Sequence, residues 1–310
     1  MTRKAQTIRG RLRALSSRLT PRAIGGAAVV SLAVWTGVHT AAPGGWLDGV
    51  NIAEAAVKVV STLAAFLVAL LLCLEIAGEY RRNGWLRAAW MCLAICSAVS
   101  LVRNCFDTPL VDLVHPGYWT SQWSSVMREV PAAIALMFLA AGILTMAVAF
   151  WRLGLGFALR WYDAAAMGGV FVVLALILVF RNDLSAAHLR DSVPRQAQLF
   201  SQVMFAVAAA GSIVLFRIGK QMGGGHLARA MGWIIAHILL RAILVLATAV
   251  EAHLHLKSVH IDFVHTFLGI AASWMFALAA SSRGQVTHTA VEQAAKWGVT
   301  AGSPPVDAIA

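Results

Sequence analysis

Residues 131–150 read PAAIALMFLAAGILTMAVAF, twenty consecutive positions without a charged side chain. At 1.5 Å per residue a helix of this length is about 30 Å long, matching the hydrocarbon core of a bilayer. In lipid, every backbone N–H and C=O of a lone apolar segment must be satisfied within it, which leaves the α-helix. Outward from this run the same pattern recurs at 56–78, 85–103, 163–180, 199–217 and 261–281. Two further stretches are interrupted: 23–41 carries Thr36 and His39, and 229–250 carries His237 and Arg241. The whole 310-residue chain is 59% hydrophobic and 13% charged, too poor in polar surface for a soluble globule. The expected fold is all-α, a polytopic integral membrane helical bundle of eight transmembrane helices.

Charge gives that bundle a direction. Residues 1–22 hold Arg3, Lys4, Arg9, Arg11, Arg13, Arg18 and Arg22 and no acid. Threading eight spans from a cytoplasmic N-terminus keeps the Lys and Arg excess on the cytoplasmic side even without this arm. Most acids, Asp107, Asp112 and Asp183 among them, fall on the other side. This is the positive-inside bias, so both termini are expected in the cytoplasm, N-in and C-in. Three regions follow: a basic cytoplasmic arm at 1–22, the bundle at 23–282, and a partly disordered cytoplasmic tail at 283–310. A multi-pass protein of a bacterial cytoplasmic (inner) membrane is the expected setting. Its partner is the lipid bilayer, with a protein partner on the cytoplasmic side as a further candidate.

The net charge of +11 invites a nucleic-acid reading. An anionic leaflet accounts for the arm, and the aromatic interleaving that stacks bases is missing, so no nucleic-acid partner is expected. No hydrophilic piece is long enough to bury a core of its own. Stretch 23–41 also resembles a signal peptide, but His39 and Pro43 spoil the small-residue cleavage pattern, and a retained helix is the expectation. Cys73, Cys92, Cys96 and Cys105 lack the CxxC spacing of a zinc or redox site and read as packing residues.

Tryptophans mark the span ends: Trp46, Trp119 and Trp123 on the outer side, Trp85, Trp151, Trp161 and Trp233 on the inner. Residues 104–130 are expected to hold a short interfacial helix, with Pro131 opening the fourth span. Residues 181–198 are expected to be a loop with a partial turn of helix. Gly223-Gly224-Gly225 reads as a flexible connector. The sequence carries no visible internal repeat.

Two constellations bear chemistry. His237 and Arg241 are one turn apart on one helical face, with Arg241 near mid-bilayer. A cation there costs at least ~2.5–3.5 kcal/mol on insertion scales, so it is expected to face the bundle interior with a partner. Glu75 is the nearest acid in the threading, and Ser97 and Ser212 are neutral alternatives. The second constellation is EAHLHLKSVHIDFVH, residues 251–265, in which His253, His255, His260, Asp262 and His265 are candidate ligands for a transition metal at the outer face. Metal binding there would weaken as pH falls through roughly 6.5, because the ligand is the neutral imidazole. Haem is not expected: His237 and His265 differ in depth by about 12–15 Å at helical rise, and His39, which matches His265, lies in a weak span. No GxSxG, HExxH or phosphate-loop pattern is present, and no catalytic residue stands out.

Three readings remain. The first is a non-enzymatic sensor or receptor-like module with a His-rich extracytoplasmic face. The second is a transporter or permease for a small molecule or ion, using the Arg241 region. The third is a haem- or metal-binding redox subunit.

Overall fold

A computed structural model of the chain describes residues 18–41, 52–80, 83–106, 122–153, 160–180, 193–221, 226–254 and 259–296. These form eight α-helices: α1 Pro21–Ala41, α2 Ile52–Glu79, α3 Gly84–Phe106, α4 Gln122–Arg152, α5 Trp161–Phe180, α6 Val193–Gln221, α7 His226–Leu254 and α8 Val259–Lys296. Each contains an apolar window long enough to cross a membrane, and there is no strand among the described residues. The chain is therefore a multi-pass helical membrane protein.

Local chemistry sets the helix starts. Thr20 Oγ1 accepts a hydrogen bond from the Ala23 amide at 3.2 Å, and Pro21 occupies the first turn, where its missing N–H costs nothing. Asn83 Oδ1 accepts from the Leu86 amide at 3.1 Å at the head of α3. At the head of α5, Asp163 Oδ2 accepts from the Arg160 amide at 2.9 Å.

Three boundaries differ from expectation. The fourth helix begins at Gln122, so Pro131 lies inside it and opens nothing. Proline removes one N–H and crowds the preceding turn, but the helix continues on both sides because neighbouring turns re-satisfy the backbone. Likewise α6 starts at Val193, taking in residues expected to be loop, and α8 runs past Ser282 to Lys296 without a break. Hydropathy locates the part of a helix that sits in lipid; the helix itself extends until its backbone is capped.

Six helices form a ring in the order α2, α3, α4, α6, α7, α8 and back to α2, each packed on the next. Glycines bring the walls together. A Cβ on Gly142 of α4 would meet Leu93 Cδ2 at 2.9 Å, and one on Gly211 of α6 would meet Ile143 Cγ2 at 2.9 Å. With no water to drive helices together inside a membrane, this close approach of backbones is what gains dispersion energy. The ring closes where Trp274 Nε1 of α8 donates to Ser61 Oγ of α2 at 3.1 Å.

The remaining two helices are peripheral. α1 leans on α8 and α2, while α5 leans on α6 and touches α7. Only 17% of the apolar window is buried in each, against 56% in α4 and α8. Connectivity repeats although the sequence shows no repeat: α1 packs on α2, α2 on α3, α3 on α4 and α4 on α6. The second half follows suit, α5 on α6, α6 on α7, α7 on α8 and α8 on α2. Two four-helix halves thus run in the same sense around the ring, as parallel repeats do in some carriers.

Candidate functional site

The inside of the ring is reached most directly from α7. At about 100° per residue, His237, Arg241, Ile234, Ile238 and Met231 share one third of its circumference. His237 marks the edge towards α8, since its ring bonds to the Ala272 carbonyl at 2.7 Å and lies 5.2 Å from the Phe276 ring. Met231 marks the edge towards α6, where a Cβ on Gly219 would meet its sulfur at 3.5 Å. Arg241 falls between these edges, which points it into the ring.

The two α7 residues differ in how they are satisfied. A carbonyl only accepts, so the His237 Nδ1 carries the proton and donates. His237 is 6% exposed and clamps α7 to α8 one turn before the arginine. Arg241 is partly buried, and among the described residues no hydrogen bond or ion pair from its guanidinium is found.

The partners expected for Arg241 lie elsewhere. Glu75 is four residues from the end of α2 that adjoins the start of α3, whereas Arg241 is fifteen residues beyond the start of α7. That mismatch is about 16 Å at helical rise, and no ion pair joins the two. Ser97 Oγ donates to the Leu93 carbonyl at 3.0 Å and Ser212 Oγ to the Ala209 carbonyl at 2.6 Å. Both hydroxyls are used within their own helix, the usual fate of a serine in an apolar span. A second cation, Arg103, stands near the end of α3. Arg103 Nε donates to the Arg128 carbonyl of α4 at 3.2 Å, which orients its guanidinium from the backbone.

Of the histidine-rich segment, His265 lies in α8 and is partly buried. His253 is in the last turn of α7, and His260 and Asp262 are in the first turn of α8, but their side chains and all of His255 lie outside the described residues. Among the described residues no three His, Cys, Asp or Glu side chains converge as metal ligands. His39 is not aimed at a metal. Its Nδ1 meets Glu54 Oε1 of α2 at 2.7 Å, and its ring lies 4.7 Å from Phe263 of α8, so it ties α1 to both neighbours.

One site was missed by sequence reasoning. Asp163 of α5 is 4% exposed, and Arg217 of α6 grips it through Nε at 2.8 and 2.9 Å and through a terminal nitrogen at 2.7 Å. Arg217 also lies 4.6 Å over the Tyr162 ring, and Arg160 donates to the Tyr162 hydroxyl at 3.1 Å. The signal was available: an acid opening one span and a cation ending another, both at the end of the bundle where α5 starts. The four cysteines are all free thiols, Cys73 and Cys96 buried in the packing.

No family model matches this chain, and neither the curated proteins nor the solved structures contain a match to it.

Proposed function

We propose that the protein is a membrane permease for a small polar solute, with the interior of the six-helix ring as the pathway and Arg241 as the group that engages the solute. The observation that carries this reading is Arg241 itself: a cation near mid-span, turned into the ring, partly exposed and joined to no acid among the described residues. A cation kept at that depth without a structural partner needs another reason to be there. Two four-helix halves around one central site support the same reading, because such halves can rock against each other to expose the site alternately. Both termini then face the cytoplasm, and reporters fused after Ala310 and at Pro116 are expected in opposite compartments.

Thiol labelling in intact membranes tests the pathway. In a background with Cys73, Cys92, Cys96 and Cys105 changed to Ala, Arg241→Cys is expected to react with a membrane-impermeant thiol reagent. Leu239→Cys, on the exposed apolar side at 57%, is expected to stay unlabelled, because a thiol in lipid does not ionise. Equal protection of both positions would show a ring closed to water and would defeat the permease reading.

The sensor reading keeps one supporting observation, the His39–Glu54 contact that ties the peripheral α1 to the ring. It engages no ring interior, and for that reason it ranks second.

A further inference from the structure

We infer that the protein holds an anionic phospholipid at the end of the bundle where α4 stops and α3 starts, with the lipid phosphate seated on the guanidinium of Arg152. The site is separate from the ring interior and independent of what passes through it.

Arginines over aromatic rings locate it by comparison. Arg217 lies 4.6 Å from the Tyr162 ring, Arg160 5.8 Å from the same ring, and Arg152 4.5 Å from the Trp85 ring. A guanidinium that rests on a ring keeps the N–H groups at its edge for acceptors. Arg217 gives that edge to the Asp163 carboxylate, and Arg160 gives a nitrogen to the Tyr162 hydroxyl. Arg152 makes no hydrogen bond or ion pair from its side chain among the described residues. It is the last residue of α4, exposed, and steadied across the seam to α3 by the Trp85 ring. Arg217 shows what such an edge takes in this protein: paired oxygens that share a negative charge. A phosphodiester presents the same pattern.

The surroundings select a lipid over a free ion. Trp151 is 65% exposed and Trp85 is exposed as well, amphipathic rings of the kind that settle at headgroup level. Leu144 stands on the same face of α4 as Trp151, two turns and about 10 Å further in at helical rise. On α3, Met91 is at the depth of Leu144, because Leu93 is level with Gly142 where the two helices meet. Both side chains are exposed apolar surface. A free phosphate would use Arg152 and leave this surface unused, whereas a phospholipid lays its acyl chains along it. Charge selects the headgroup. A zwitterionic lipid brings its own ammonium to the phosphate and competes with Arg152; an anionic one offers no such rival. One arginine near an anionic headgroup is worth about fivefold in occupancy.

Photolabelling of the full chain in nanodiscs decides the matter. Phosphatidylcholine nanodiscs are doped with phosphatidylglycerol carrying a diazirine in one acyl chain, or with the matching photoreactive phosphatidylcholine, and adducts are mapped by mass spectrometry. In wild type the anionic probe is expected to label the segments around Met91 and Leu144 about fivefold more than the zwitterionic probe. Arg152→Gln is expected to abolish that preference. Arg152→Lys, which keeps the charge and loses the fork, and Trp85→Leu, which removes the support, are each expected to reduce it part way. The segment around Leu239, on the exposed apolar side of α7, reports bulk lipid and is expected to label alike in every variant. A preference absent from wild type, or one that survives Arg152→Gln, overturns the inference. Its loss on adding inorganic phosphate, at an ionic strength held constant with chloride, would assign Arg152 to a free ion and overturn the lipid. Should Arg152→Gln not fold, Arg152→Lys and Trp85→Leu supply the comparison: a preference unchanged in both overturns the site.

Discussion

Arg217 and Arg241 are both arginines on helices that cross the membrane, and their surroundings could hardly differ more. Arg217 sits where the peripheral α5 meets the ring, at the end of α6, with Asp163 gripped through two nitrogens and the Tyr162 ring beneath it. Arg241 sits in mid-span with no acid bonded to it among the described residues. The first is a fastener, since its Nε and one terminal nitrogen meet the Asp163 carboxylate on the adjoining helix. The second costs insertion energy that no contact among the described residues returns. A cation in a membrane is thus to be judged by its bonds before its depth: saturated ones hold helices together, and unsaturated ones point to a ligand.

The contrast can be broken by substitution, most forcefully at Asp163. Asp163→Ala removes the carboxylate and leaves Arg217, 16% exposed, without its counter-charge. The expected outcome is a clear fall in Tm in nanodiscs and early proteolysis near α5, one of the two helices with the least burial to hold them. Unchanged unfolding would mean that the bidentate grip fastens nothing.

Arg241→Leu is the mirror experiment. Taking a lone cation out of an apolar span relieves a cost of roughly 2.5–3.5 kcal/mol on insertion scales. The variant is expected to be at least as stable as wild type by thermal unfolding, while losing its engagement of the solute. A destabilised variant would reveal a structural partner and move Arg241 into the same class as Arg217.

Arg217→Lys sharpens the comparison from the other side. An ammonium keeps the charge and loses the planar fork, so a smaller fall in Tm than for Asp163→Ala is expected. The smallest effect belongs to Ser97→Ala. Its hydroxyl returns to the Leu93 carbonyl of its own helix, so a change within about 0.5 kcal/mol is expected, with solute binding intact. A large loss of binding there would place Ser97 at the ligand.

How far the sequence could be read follows from the same physics. Segments such as 131–150 declare themselves because lipid demands an unbroken apolar length, and that demand is local. Arg241 was legible for a related reason, as a single cation at the wrong depth. Its surroundings were not. Glu75 was drawn in because it was the nearest acid along the threading, yet depth along a helix says nothing about which helices are neighbours. In water, an amphipathic stripe would have told the neighbours apart. Here the surfaces towards lipid and towards other helices are both apolar, as along α5, so adjacency is settled by small residues such as Gly142 and Gly211, whose close contacts are invisible until the helices are paired. The Asp163–Arg217 pair was hidden for that reason alone: each residue read as an ordinary span-end charge.

The contact between Trp274 and Ser61 bears on how the protein comes to exist. Its two residues are 213 positions apart, and the helix that completes the enclosure is synthesised after the other seven described helices. Until α8 has entered the bilayer, α2 and α7 each present an unmatched flank, and whatever occupies the centre lies open to lipid on that side. Biogenesis therefore has a waiting period, during which seven helices are threaded and the ring lacks its sixth stave. A chain stopped before residue 259 would be expected to insert yet remain unclosed, and to be recognised by membrane quality control as an orphan.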